Sequence, residues 1–158
     1  YVVSASGAQL RLGSNYQVSS TGAQELNPLT GSTKSLGKSF KDYELGLPAA
    51  GESTVKCRHI SELDIDNGCL IGQGSSAKVY AVIHKPTGIR VCVKQMHIDD
   101  SRHREEVKRE LDSLHKAASR YIVDFYGAFF HNDMGVILLV LELLEGSLSD
   151  VLKERGGT

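Results

Sequence analysis

The sequence predicts an α+β fold, in which a five-stranded antiparallel sheet carries one major helix and is preceded by a disordered tail. Three observations predict it. Strand-like runs joined by tight turns follow one another between residues 69 and 96. Apolar residues then recur at helical spacing between residues 101 and 117. Residues 1 to about 55 are instead rich in Ser, Gly, Thr and Ala.

The N-terminal segment, residues 1–58, holds only isolated apolar residues. Such a segment cannot bury enough apolar surface to offset the entropy lost on ordering it. Residues 2–3 and 10–12 resemble short strands, but we give these two pieces little weight in the prediction. We therefore predict a mostly disordered tail over residues 1–58 and an ordered domain over residues 59–158.

The predicted strands form a meander. A turn with the sequence Asp-Asn-Gly precedes the first strand, and Pro86 and Gly88 occupy a tight turn between the second and third. These connections are too short for parallel crossovers, so the strands are antiparallel. The first three strands are predicted at residues 69–71, 79–84 and 89–96.

A helix is predicted from about residue 101 to residue 117, with Asp99, Asp100 and Ser101 as candidates for its N-cap. The nearly continuous apolar run near residue 140 indicates a strand that is buried on both faces. The elements predicted after the helix are a strand at residues 124–130, a turn at 131–135, a strand at 136–141 and a short helix at 147–155.

Lys94 and Glu110 form the most informative pair. Lys94 ends a strand-like run, and Glu110 lies on the apolar helix stripe of Val107 and Leu111. A glutamate there is costly unless a cation meets it, and Lys94 is the candidate. Each residue also has a plain structural interpretation, Lys94 as an edge-strand lysine and Glu110 as a surface charge.

A glycine-rich turn precedes this pair. Residues 72–79 read Gly-Gln-Gly-Ser-Ser-Ala-Lys-Val and lie between two predicted strands. Glycines let a backbone approach phosphates closely, and Ser75 and Ser76 add hydroxyl donors. The motif alone is weak, because it occurs in ordinary hairpins and Ala77 replaces its third glycine. A phosphate-covering loop, a strand lysine and a helix glutamate together resemble the ATP-holding half of a protein kinase.

The chain resembles the protein kinases, and more closely the MAP kinase kinase family. The resemblance covers about residues 60–156 and implies a protein-kinase small lobe. The segments that carry the closer match are residues 84–88 (HKPTG), 109–115 (RELDSLH), 121–129 (YIVDFYGAF) and the hinge-like 141–148 (LELLEGSL).

The resemblance implies an ATP site. Lys94 would hold the α- and β-phosphates and would be oriented by Glu110. Cys92 departs from the alanine that the family usually has at its position. The residues implied around the phosphates are Gly72, Gly74, Ser75, Ser76 and Ala77. Those implied around the adenine are Ile71, Val79, Cys92, Leu141 as gatekeeper, the Glu142 carbonyl and the Leu144 amide.

The sequence contains no His-Arg-Asp motif, no Asp-Phe-Gly motif and no activation loop. We therefore expect that the catalytic lobe is missing, that this chain alone is inactive, and that the Mg²⁺ ligands lie outside it. The parent protein would use MgATP to phosphorylate Thr and Tyr in the activation segment of a MAP kinase. The alternative is a pseudokinase or scaffold module that binds nucleotide or partners without phosphoryl transfer.

The resemblance also implies partners. MAP kinase kinases typically carry a docking peptide in which basic residues precede two alternating apolar residues. Lys38 and Lys41 followed by Leu45 and Leu47 fit that pattern, and an unstructured linker is the alternative. The expected partners are a MAP kinase substrate and an upstream MAP kinase kinase kinase.

Composition and cysteine spacing argue against several other kinds of partner and site. The net charge of −1 gives no reason to expect nucleic acid or an anionic membrane as a partner. The three cysteines show no paired spacing, so we predict no metal site or disulfide framework and a reducing, cytoplasmic location. No apolar stretch is long enough to cross a bilayer.

Overall fold

The computed structural model describes residues 2–4, 7–40, 55–116 and 123–144. Two five-stranded antiparallel sheets and one α-helix make up this part of the chain. No helix within these residues is long and apolar enough to cross a membrane. The predicted helix at 147–155 and the docking residues Lys41, Leu45 and Leu47 lie outside the described ranges.

The first sheet, which we call the N-terminal sheet, lies in the segment predicted to be disordered. Its strands follow chain order in a simple meander. The prediction of a disordered tail is therefore wrong for residues 7–40. The strands are β1 (Val2–Ser4), β2 (Gly7–Leu12), β3 (Tyr16–Ser19), β4 (Gly22–Leu26) and β5 (Thr33–Ser35).

The N-terminal sheet forms because its few apolar residues line up across strands. Leu10 pairs with Val18, and Leu12 pairs with Tyr16. Alternate residues share a face, so these four side chains lie on one side, where all are buried. They are too few to form a core alone. Residues far along the chain bury them, and local composition does not reveal that burial.

The second sheet, which we call the main sheet, confirms the predicted five antiparallel strands. Its strands run in the order β6-β7-β8-β10-β9. Strands β9 and β10 are buried along nearly their whole length, and for β10 the apolar run near residue 140 predicts this burial. The strands are β6 (Cys69–Gln73), β7 (Ala77–His84), β8 (Ile89–His97), β9 (Phe125–His131) and β10 (Val136–Glu142).

The predicted major helix is present as α1 (Ser101–Lys116). Of the three N-cap candidates, Asp100 has the hydrogen bonds of a cap. Its side chain accepts a hydrogen bond of 2.8 Å from the backbone N–H of His103, and its carbonyl accepts one from the N–H of Arg104. The His103 bond favours the carboxylate and lowers the pKa of Asp100.

Helix α1, the N-terminal sheet and the main sheet all contribute side chains to one hydrophobic core. Val107 and Leu111 are fully buried on the helix. The N-terminal sheet supplies the other side of this core, so its strands and the helix stabilise each other. The buried members besides the two helix residues include Leu10, Leu12, Tyr16 and Val18 of the N-terminal sheet and Met96, Phe130, Ile137 and Leu139 of the main sheet.

A short strap, residues 36–40, connects the N-terminal sheet to the other face of the main sheet. The backbone N–H of Lys38 donates to the carbonyl of Phe125, and Phe40 is fully buried against Tyr126. Gly37 has φ +100°, and a Cβ at that position would overlap the carbonyl of Tyr126. The strap therefore requires glycine where it crosses β9.

Candidate functional site

The Lys94–Glu110 pair is formed in the structure. Strand β8 carries Lys94 and helix α1 carries Glu110, and the Nζ and Oε1 atoms lie 3.2 Å apart. Their side chains are 27% and 34% exposed, so neither charge is fully solvated. Partial burial strengthens such a pair relative to a fully exposed one. The contact holds the ammonium group at a fixed point beside an open cavity.

That cavity joins the glycine-rich turn to the helix. Ser76 lines it from the turn, and Lys94 and Glu110 line it from the sheet and the helix. Cationic and hydroxyl donors therefore face one space, which is the combination that a phosphate group needs. The remaining lining residues are Met96, Glu106, Arg109 and Ser113.

The glycine-rich turn connects β6 to β7 next to Lys94. The N–H of Gly74 donates to the carbonyl of Ala77 at 2.8 Å, and Gly72 pairs with Val79. Val79 in turn lies opposite Lys94 on β8. A Cβ at Gly72 or Gly74 would meet only ordinary van der Waals contacts. The fold itself therefore does not require glycine there, whereas close approach of a ligand to the backbone would.

The residues implied around an adenine fall into two groups. Cys92 pairs across the ladder with Leu141, and the period-two alternation puts both on the face that carries Lys94. Val79 lies on the same face of the neighbouring strand. Ile71 and Leu144 are instead about half exposed, at 53% and 55%. The structure thus places Val79, Cys92 and Leu141 on one face of the main sheet, where Leu141 is buried and Cys92 packs against the same core.

Cys92 is a half-buried thiol. Burial raises the pKa of its side chain, while the ammonium of Lys94 acts in the opposite direction. The larger effect is burial, so the group stays a thiol at neutral pH. A protonated thiol is a poor nucleophile, which suits a residue that packs against a ligand.

The start of the hinge-like segment is anchored to the beginning of β9. The N–H of Glu142 donates to the carbonyl of Asp124 at 2.9 Å. The Glu142 carboxylate accepts a hydrogen bond from the N–H of Asp124 at 3.2 Å. These reciprocal bonds fix the backbone where β10 ends, two residues before Leu144. Of the hinge-like segment, only residues 141–144 are described.

Sequence reasoning missed the polar contacts between the N-terminal sheet and helix α1. Tyr16 hydrogen-bonds to Asp112, and Glu25 pairs with His115. A signal for the sheet was available, because the alternation at residues 10–12 and 16–18 flanks a turn that contains Gly13, whose φ is +62°. The contacts themselves carry no local signal.

Lys38, one of the predicted docking residues, is held by the fold. Its Nζ lies 3.1 Å from Oδ1 of Asp124, although 59% of the side chain is exposed. Its backbone is also tied to β9, so Lys38 is part of an ordered strap. The docking prediction consequently depends on residues 41–47.

A second polar cluster lies on the other side of the main sheet. Cys57, Glu62 and His84 bring their ligand atoms within 4.8 Å of one another. His84 is fully buried, and its two ring nitrogens already contact Glu62 at 2.8 Å and Thr87 at 2.7 Å. Burial raises the pKa of the Cys57 thiol to about 12, which keeps it protonated. These contacts account for the cluster as a hydrogen-bonded structural unit.

Comparison with known proteins matches the chain to one family. Residues 65–158 match the family described as "Protein kinase domain". Mitogen-activated protein kinase kinase 5 of Leishmania mexicana is 33% identical over 99 residues, covering 60% of this chain and 18% of that protein. Protein kinase wis1 of Schizosaccharomyces pombe is 37% identical over 87 residues, covering 54% of this chain and 14% of that protein.

MAP kinase kinase PBS2 of Saccharomyces cerevisiae is 38% identical over 87 residues, covering 54% of this chain and 13% of that protein. The chain thus spans less than a fifth of the length of these curated relatives. The matches confirm the resemblance that was inferred from segments such as residues 84–88 and 121–129. The described residues form a five-stranded main sheet with one α-helix, and the chain belongs to the protein kinase family and is similar to MAP kinase kinases.

Proposed function

We propose that this chain is the ATP-binding lobe of a MAP kinase kinase. The full-length protein would phosphorylate Thr and Tyr in the activation segment of a MAP kinase, with MgATP as the phosphoryl donor. The observation that carries the proposal is the 3.2 Å Lys94–Glu110 pair beside the glycine-rich turn. The match of residues 65–158 to the protein kinase domain supports it.

The residues around the Lys94–Glu110 pair fit a nucleoside triphosphate. Lys94 provides a cation for the α- and β-phosphates, and Glu110 keeps that cation in place. The turn from Gly72 to Ala77 brings backbone close to the phosphates, and Ser76 adds a hydroxyl. Magnesium, when bound with the nucleotide, neutralises phosphate charge, and we propose that its ligands lie outside this chain.

Val79, Cys92 and Leu141 offer an apolar surface to the adenine ring. Ile71 would cover the ring from β6. The Glu142 carbonyl and the Leu144 amide would hydrogen-bond to its polar edge, as the family pattern implies. The reciprocal bonds between Glu142 and Asp124 support this role, since they hold the backbone at the end of β10.

The partners follow from the relatives. Two of the three relatives carry MAP kinase kinase in their names, which supports a MAP kinase as substrate and an upstream kinase as activator. We also propose a cytoplasmic location, which the free thiols Cys57, Cys69 and Cys92 support. Immunofluorescence of the tagged protein outside the cytoplasm would contradict that location.

A direct assay tests the proposed function. Full-length protein is incubated with a MAP kinase and MgATP, and the phosphorylated residues are identified by mass spectrometry. We expect phosphate on both Thr and Tyr of the activation segment. Nucleotide binding without phosphoryl transfer, after treatment with an activating kinase, would instead identify a pseudokinase.

A docking segment is the remaining proposal. Lys41, Leu45 and Leu47 would contact an acidic and apolar groove on the MAP kinase. A peptide spanning residues 33–49 should bind the kinase weakly, and its affinity should fall as salt rises. Replacing Leu45 and Leu47 with Ala should remove binding. Equal binding by both peptides would leave only a linker.

A further inference from the structure

Helix α1 is held along two edges. On one edge Glu110 meets Lys94 of the main sheet at 3.2 Å. On the other edge Asp112 and His115 meet the N-terminal sheet. Between these edges lie Val107 and Leu111, which are buried in the shared core.

Tyr16 makes the more buried of the two contacts on the second edge. Its side chain is fully buried, and its hydroxyl donates a hydrogen bond to Oδ1 of Asp112. This hydrogen bond favours the carboxylate and lowers the pKa of Asp112. A buried tyrosine normally has a partner for its hydroxyl, and here the partner is a charged group on the helix.

Glu25 makes the second contact. Its Oε2 lies 2.9 Å from Nε2 of His115, in the last turn of the helix. The two side chains are 35% and 21% exposed. One helical turn separates this contact from Asp112, so the N-terminal sheet holds the helix at two heights. The stem of Lys108 passes close to the turn at Gly13, since a Cβ added to Gly13 would lie 3.2 Å from its Cε.

Helix geometry couples these contacts to the nucleotide site. Each residue turns the helix by about 100°, so Asp112 lies about 200° around the axis from Glu110. A rotation that moves Glu110 away from Lys94 therefore also displaces Asp112 from Tyr16. A rigid helix that is held at both edges cannot swing about its buried stripe.

We propose that the N-terminal sheet sets the rotation of helix α1, with Tyr16 and Glu25 as positioning residues for the Lys94–Glu110 pair. The inference rests on the proposed function, because Glu110 matters through its effect on Lys94 and the phosphates. Loss of the two contacts shifts the helix toward orientations in which Glu110 is apart from Lys94. The N-terminal sheet is then a built-in regulator of nucleotide binding and turnover.

The first test uses the full-length protein with Tyr16→Phe and Glu25→Gln combined. Both changes keep side-chain size while removing the hydroxyl and the charge. We expect kcat/KM for ATP to fall roughly tenfold, a change of about 1.4 kcal/mol, with faster amide hydrogen exchange in residues 101–116. Ser19→Ala is the matched control, since it removes a β3 hydroxyl that contacts Thr21 and not the helix.

A rescue experiment separates positioning from general stabilisation. Glu25→Lys should reduce kcat/KM, and Glu25→Lys combined with His115→Glu should restore it by forming the pair in reverse. A merely structural role predicts that kcat/KM falls and recovers in step with the melting temperature, whereas positioning predicts that kcat/KM and exchange in residues 101–116 change by more than the melting temperature explains. Wild-type kinetics and wild-type exchange in the combined Tyr16→Phe and Glu25→Gln variant would overturn the proposal.

The two proposals can fail separately. If the wild-type protein transfers no phosphate, the proposed function is wrong, and hydrogen exchange of helix α1 still decides whether the N-terminal sheet positions it. If the wild type is active and the variants match it in both kinetics and exchange, the positioning role is wrong and the kinase assignment remains.

Discussion

At the scale of single residues, Lys94 depends on a partner sixteen residues later in the chain. The ion pair is partly exposed, so its value is geometric: it fixes where the ammonium group lies. Cys92 and Val79 are placed by the same strands, so the proposed nucleotide surface depends on the pairing of β7 with β8.

Replacing Lys94 with Met in the full-length protein should abolish phosphoryl transfer and leave the protein folded. The Lys94 side chain is partly exposed, and Met retains an aliphatic chain of similar length. The substitution removes the cation that would meet the phosphates. Glu110→Gln should reduce the rate less, because it removes the charge and keeps the shape. The rate of MAP kinase phosphorylation and the melting temperature measure both effects.

Lys85→Met is the matched control, since Lys85 is an exposed lysine in the hairpin between β7 and β8. It should leave the rate unchanged. Normal turnover by purified Lys94→Met protein would show that Lys94 is not part of the proposed ATP site.

Cys57 should make stability depend on alkaline pH. Burial raises its pKa to about 12, so the folded state keeps a proton that the unfolded chain releases near its ordinary pKa. Its contribution is fully present below about pH 8.5 and is lost as pH rises toward 12. Between about pH 8.5 and pH 10.5 we expect a loss of about 2 kcal/mol.

Urea unfolding of the wild type and of Cys57→Ala at both pH values measures this effect. The substitution should lower stability at the lower pH and flatten the dependence on pH. Cys69→Ala, which removes an exposed thiol, serves as the control. An equally steep dependence in Cys57→Ala would assign the effect to other groups.

At the scale of elements, the strap of residues 36–40 sets how the N-terminal sheet meets the main sheet. Its position depends on Gly37, which combines φ +100° with close contact to the Tyr126 backbone. Any side chain there must displace β9 or the strap. The strap is therefore an element whose sequence requirement comes from a strand that lies nearly ninety residues later.

Gly37→Ala should lower the free energy of unfolding by more than about 1 kcal/mol, since it adds overlap to the strain of a positive φ. Gly31→Ala is the control, because Gly31 has φ +71° and open space around it. The difference between the two variants isolates the overlap with Tyr126. Denaturant unfolding of both variants measures it, and equal losses would show that the strap can shift freely.

At the scale of the whole molecule, the N-terminal sheet, helix α1 and the main sheet share one core. Leu10, Leu12, Tyr16 and Val18 contribute fully buried apolar side chains to it. Each such side chain contributes about 1.5–3 kcal/mol when it is removed from water. The N-terminal segment is thus a structural layer of the lobe.

Deleting residues 1–35 from the full-length protein should therefore lower its stability by several kcal/mol, by the same estimate for burial. It should also expose Val107 and Leu111 and promote self-association. Calorimetry and light scattering measure the two effects. An unchanged melting temperature and an unchanged monomer would show that the segment contributes nothing to the core.

Much of the fold could be predicted, because its signals are local. Alternation and turn residues located the strands of the main sheet, and the helical stripe of Val107 and Leu111 located α1 with Asp100 at its cap. The Lys94–Glu110 contact was predicted because a carboxylate on an apolar helix stripe needs a cation, and the preceding strand supplied one. The roles assigned to all the residues of the ATP site, Ile71 and Leu144 included, stay predictions.

The sequence by itself therefore determined the main sheet, its helix and the pairing of Lys94 with Glu110, since periodicity and charge act over a few residues. Only the tertiary structure decided that residues 7–40 are ordered. The Tyr16–Asp112 and Glu25–His115 contacts join residues 96 and 90 positions apart. No local sequence pattern predicts these contacts. A short, mostly polar strand becomes stable only when side chains from distant parts of the chain remove its few apolar residues from water.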